Sequence, residues 1–127
     1  MSQLSISKEL KAALAPLVGQ RVYARTFMQP SGQLPEWPAI RFVFVTPEID
    51  DDICGDGGDD TANWNLQIDV VLGFKKGETA FQQLRQEVMA AIAALGAHYA
   101  WSGQREEFDA DTKTNRCSLD YVVYQSS

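Results

Sequence analysis

Histidine and cysteine are scarce in this chain, which holds one histidine, His98, and two cysteines, Cys54 and Cys117. A zinc site built on thiolates and imidazoles needs about four such ligands. Three scattered candidates with no CxxC pair exclude a site of that kind, so no metal is expected through them. No run approaches the roughly 20 apolar residues of a membrane span. The opening residues, MSQLSISKELKAAL, lack the basic start and unbroken apolar core of a signal peptide. Together these absences predict a chain made and folded in the cytosol, without membrane contact, and a Cys54–Cys117 disulfide is not expected there. GxSxG, P-loop and GxGxxG patterns are also missing, and His98 has no serine or cysteine motif to complete a triad. The expectation is a protein with no catalytic centre and no cofactor, one that works by binding other proteins.

What is present fits one domain. The chain has 127 residues, 45% hydrophobic and 22% charged, ordinary values for a globular protein. Its formal net charge of −6 is unevenly placed. Residues 48–60, EIDDDICGDGGDD, hold seven acidic and no basic side chains, which leaves ten acidic against eleven basic elsewhere. A nearly neutral body with one acidic loop offers no electrostatic reason to bind nucleic acid.

Periodicity divides the chain into seven elements. Ile6, Leu10 and Leu14 recur at spacing four and predict a helix over about 6–15, with Ser5 or Ser7 as its cap. Pro16 ends it or restarts it as one tight turn, and Gly19 closes it. Residues 20–27 read as a strand, 28–38 as a proline-rich loop, and 39–46, AIRFVFVT, as a strand well inside the sheet, ended by Pro47. In 62–74, Trp64, Leu66, Ile68, Val70 and Leu72 alternate with Asn63, Asn65, Gln67, Asp69 and Val71, which puts the first set on the core face. The second set makes the other sheet face wet or a polar partner surface.

A long helix is expected over 78–95, where Phe81, Leu84, Val88, Ile92 and Leu95 share a face. Thr79 with Gln82 is a capping-box pattern, and Gly96 is the expected left-handed stop. Strands over 97–108 and 115–125 flank the turn DADTKTN, and Cys117 on an apolar face reads as a small hydrophobe. The order α-β-β-β-α-β-β predicts an α+β fold, a largely antiparallel sheet with both helices stacked on one face.

Few residues carry chemistry. Asp50, Asp52, Asp56, Asp59 and Asp60 are hard oxygen donors of the kind that calcium takes. An EF-hand loop starting at Asp50 needs an oxygen ligand at 54 and a glutamate at 61, where this chain has Cys54 and Thr61. A solvated loop kept open by its own repulsion is the simpler reading, and docking on a basic partner surface lies between the two. Asp69 and Asp120 sit on polar strand faces with Arg21, Arg41 or Arg116 as partners, which reads as cross-strand pairing rather than acid–base chemistry. Of the tryptophans, Trp64 falls on the core side, whereas Trp37, in a proline-bounded loop, is the better interface candidate.

The stretches Leu10-Lys11-Ala12-Ala13-Leu14 and Leu17-Val18-Gly19-Gln20-Arg21-Val22-Tyr23 resemble the opening of the tail completion, or tail terminator, proteins of long-tailed bacteriophages and prophages. Leu34-Pro35, Pro38-Ala39-Ile40, Asn65-Leu66-Gln67-Ile68-Asp69-Val70 and the helix from Glu78 to Leu95 continue the likeness. The acidic loop is longer than the resemblance predicts. The resemblance implies an α+β minor tail protein that assembles as a ring, typically a hexamer, on the head-proximal end of the tail tube. Its partners would be copies of itself, the tube protein and the head connector, first in the host cytoplasm and then in the virion tail. It implies no catalytic residue. The expected contact residues are Trp37, Asp50, Asp51, Asp52, Asp59 and Asp60. The rivals are another neck or head-closure connector, and a metal- or ligand-binding domain that uses loop 48–60.

Overall fold

The structure, a computed structural model, describes residues 3–25, 34–45 and 63–124. The first helix, α1, spans Gln3–Leu14 and buries Ile6, Leu10 and Leu14 completely. Pro16 has no N–H to continue the helical ladder, so the chain tightens into one 3-10 turn over Ala15–Val18. Gly19, at φ 58°, closes that turn by donating its N–H to the Ala15 carbonyl.

Strand β1 is short, Val22–Ala24, and β2 spans Ala39–Val45 beside it in parallel register. The strand expected over 20–27 is cut at both ends because Gln20 and Arg25 take positive φ angles of 71° and 73°, which break a pleated ladder. Strand β3, Trp64–Gly73, runs antiparallel to β2, and a 3-10 turn over Phe74–Lys76 leads into helix α2, Gly77–Leu95. Strands β4, Tyr99–Asp109, and β5, Thr114–Val123, form a hairpin that folds back so that β5 pairs with β3. The sheet order is β1-β2-β3-β5-β4. The unit β3-α2-β4 is thus a split β-α-β with β5 inserted between its strands.

Both helices cover one sheet face. Ile6, Leu10 and Leu14 of α1 and Phe81, Leu84, Val88 and Ile92 of α2 join Phe42, Ile68, Leu119 and their neighbours in one core. The α+β fold, the two helices on one face and the element order are those the sequence predicts. Phe42, Phe44 and Trp64 stack edge to face along that core, with ring centroids 6.5 and 5.7 Å apart.

Several local expectations are corrected. Ser5 and Ser7 lie inside α1, which is already helical at Gln3, so neither is its cap. Helix α2 begins at Gly77, and Gln82 gives its amide to Glu78 and Glu106 instead of closing a capping box with Thr79. Gly96 adopts φ 142°, ψ 166°, a positive-φ glycine conformation outside the left-handed helical one, and a turn over residues 97–98 then leads into β4. The face opposite the helices is not simply wet, since Asp69 and Val71 on it are buried. Thr46, Pro47, the acidic loop 48–60 with Cys54, and most of the loop 28–38 lie outside the described residues.

Candidate protein interface

Residues of β2, β3 and β5 build a polar seam on the sheet face away from the helices. Arg41 and Asp69 lie directly opposite one another in the β2–β3 register, and Asp69 faces Ser118 in the β3–β5 register. Arg41 forms an ion pair with Asp69 through its guanidinium. Ser118 Oγ donates to Asp69 Oδ1 at 2.6 Å and Gln67 Nε2 donates to the same oxygen at 3.0 Å. The carboxylate, 1% exposed, is therefore a buried charge whose acceptors are occupied. Of the arginines the sequence offers Asp69, the register selects Arg41; Arg116 lies opposite Val71 and Arg21 donates its Nε to the Pro38 carbonyl at 2.8 Å. Trp37 is half-buried beside this seam, packed with Tyr23 against Ala39 and Val71.

The titratable groups of the core are held neutral. Burial, then the nearby Glu106 carboxylate, raises the Cys117 thiol to about 11, while burial raises the Tyr121 hydroxyl to about 12. Burial and then Glu9 push Tyr99 upward as well. Cys117, wholly buried, packs as the small hydrophobe the sequence predicts and has none of the thiolate character of a nucleophile. His98, in the turn before β4, packs against Tyr99 with the rings tilted by 44° and their centroids 4.4 Å apart, and has Glu9 3.9 Å away. Among the described residues no three His, Cys, Asp or Glu side chains come together as a metal site. Asp50, Asp51, Asp52, Asp59 and Asp60 lie outside those residues.

Exposed aromatic side chains collect along β4, an edge strand. Trp101, Phe108 and, from the turn after β3, Phe74 are 51%, 52% and 58% exposed. Phe74 and Phe108 touch each other edge to face at 5.5 Å between centroids, yet both remain open to solvent. Between the two ends of β4, Gln82 reaches Glu106 at 3.0 Å and Arg85 reaches Gln104 at 3.2 Å, a polar ladder that ties the edge to α2. An edge strand that places a tryptophan and a phenylalanine on its helix side resembles the inside of a wider sheet. The sequence reading missed these residues. The available signal was Phe108, an isolated aromatic inside the charged run Arg105-Glu106-Glu107-Phe108-Asp109.

The opposite edge is different. Beside β1, on the helix side, Lys11, Ala12, Ala15, Pro16, Gln20 and Val22 line a hollow of about 370 Å³. One edge thus presents aromatic knobs and the other a recess, and nothing in this arrangement of described residues resembles a convergent set of reacting groups.

Comparison with known families identifies the architecture. A family model described as tail completion protein gp17 matches residues 6–126. The chain belongs to the tail completion protein gp17 family. It is accordingly a structural component of a bacteriophage tail. No curated protein matches the chain. The family match covers α1 from Ile6 onward, α2 and all five strands, so the residues of the seam, the aromatic edge and the recess all fall within it.

Proposed function

We propose that this tail completion protein caps the phage tail tube as a closed ring, ending polymerisation and offering the surface that joins the head connector. The observation that carries the reading is the unlikeness of the two sheet edges, a long aromatic-bearing β4 and a short, recessed β1. Contacts between two different patches of the same chain are heterologous, and they generate a ring where the rotation from copy to copy closes. A ring also has two unlike faces, one to match the last ring of the tube and one that does not repeat it. Six copies is the count the resemblance implies.

In this reading the protein is not an enzyme and needs no nucleic acid. Trp37 is a contact residue on the face away from the helices, and Asp50, Asp51, Asp52, Asp59 and Asp60 meet basic residues of the tube or of a neighbouring copy. Assembly takes place in the host cytoplasm before the protein joins the virion. Light scattering behind a sizing column, over a range of concentrations and with or without tube protein, tests the ring. A discrete closed oligomer is expected; a monomer under every condition contradicts it. Replacing the five aspartates together with asparagine is expected to weaken tube binding, and unchanged ring formation and tube binding would remove the acidic run from the account.

A further inference from the structure

The two edges match in position as well as in character. Read across the ladders, Val22 is level with Ile40, Val70, Cys117 and Glu106. Strand β1 is parallel to β2, which is antiparallel to β3, and β5 is antiparallel to both β3 and β4, so β1 and β4 run in opposite directions. Gln20, two residues before Val22, and Phe108, two residues after Glu106, are therefore displaced toward the same end of the sheet. Both lie in the helix layer: Val22 packs on the helix-side core, and Glu106 accepts from Gln82 of α2. The aromatic pair at one edge and the recess at the other thus sit at one level and in one layer, on opposite sides of the molecule.

We propose that copies of this chain meet head to tail along these edges, with the Phe74–Phe108 pair of one copy seated in the recess formed by Lys11, Ala12, Ala15, Pro16, Gln20 and Val22 of the next. This rests on the ring reading above and names its contact. A second copy is the occupant for three reasons. A side-by-side repeat of the same orientation brings β4 against the neighbour's β1 antiparallel, the geometry in which strands pair most readily. The recess, an open hollow of about 370 Å³, has room for a phenyl ring and offers it Ala12, Ala15, Pro16 and Val22, with Lys11 and Gln20 as its polar members. Charge also matches: from Arg105 to Asp109, β4 carries one basic residue against Glu106, Glu107 and Asp109, whereas α1 and the flanks of β1 carry Lys8, Lys11, Arg21 and Arg25 against Glu9. Lys75 and Lys76 follow Phe74 at the corner and are set against Glu78, so the match lies in the strand rather than in the corner.

Cross-linking tests the contact directly. In a Cys54→Ser background, Ala12→Cys and Ala110→Cys, the latter an exposed turn residue two positions after Phe108, are made separately, and the two proteins are treated with a short bismaleimide alone and mixed. A cross-link is expected only in the mixture, and a chain carrying both substitutions is expected to give a ladder ending at the ring. Cross-linked dimers of Ala110→Cys alone would mean that β4 pairs with itself, which overturns the proposal. A light-scattering oligomer without the Ala12–Ala110 linkage would overturn this contact and leave the ring standing, whereas a monomer with no linkage in any condition overturns both. As a second readout, Phe74→Ser with Phe108→Ser, both exposed sites, should keep the unfolding midpoint near that of the parent and shift the oligomer to monomer at least tenfold more readily on dilution. An unshifted dilution curve also overturns the proposal.

Discussion

At the scale of single residues the decisive group is Asp69. It has almost no access to water, and its charge is balanced by Arg41 and by hydrogen bonds from Ser118 and Gln67. Asp69→Ala leaves the Arg41 guanidinium, which is only a quarter exposed, without its counter-charge. We expect a loss of about 1.5–3 kcal/mol, the range for hydrogen bonds to charged groups, read from urea unfolding. Arg41→Ala should add little on top, because the two changes remove the same interaction. The strand alternation in the sequence places Asp69 on the outer face correctly. Its burial was not legible, because the covering groups come from strands 28 and 49 residues away in the chain.

Cys117 and Tyr121 give a pH prediction at the same scale. Each is neutral when protonated, and burial raises their values from 9.0 to about 11 and from 10.0 to about 12. The folded chain therefore keeps these protons where the unfolded chain has lost them. Their contribution is complete below pH 9 and declines as pH rises through about 11 and 12. Urea midpoints should thus fall between pH 8.5 and about 11, while a flat profile would contradict the burial of both groups. In a Cys54→Ser chain, the remaining thiol should resist maleimide until the protein unfolds; rapid reaction under native conditions would say the same.

At the scale of elements, the two helices and three of the strands are legible from periodicity because each has one wholly buried face. Ile92, wholly buried on α2, packs in the shared core, so Ile92→Ala should cost about 2–5 kcal/mol by calorimetry or denaturant titration. Element ends were less legible. Strand β1 stops where Gln20 and Arg25 turn to positive φ, a conformation that neither residue type announces. The capping pattern at Thr79 fails because the turn after β3 runs directly into α2, so the helix is nucleated two residues earlier. Gly19 does what its position predicts. At φ 58° a Cβ would sit 3.1 Å from Arg21 Nη1, so Gly19→Ala should cost about 1–2 kcal/mol in unfolding free energy. A neutral result would mean that the 3-10 turn adjusts.

At the scale of the whole molecule, strand order decides which side chains lie at the sheet edges and was not legible. Chain order alone would set β4 beside β3 across the α2 crossover, yet β5 pairs with β3 and leaves β4 at the edge. That exchange exposes Trp101 and Phe108, and it separates the aromatic edge from the recess beside β1 by the full width of the sheet. The composition and the family resemblance are read from the chain itself, whereas the contact surfaces follow only from the folded topology. The proposed capping function requires that this protein stop a tube from growing. Tail tubes grown from purified tube protein, incubated with this protein and then offered more tube protein, should carry density at one end only and fail to lengthen at that end under the electron microscope. Tubes that bind the protein along their length, or that continue to extend from the decorated end, would contradict it.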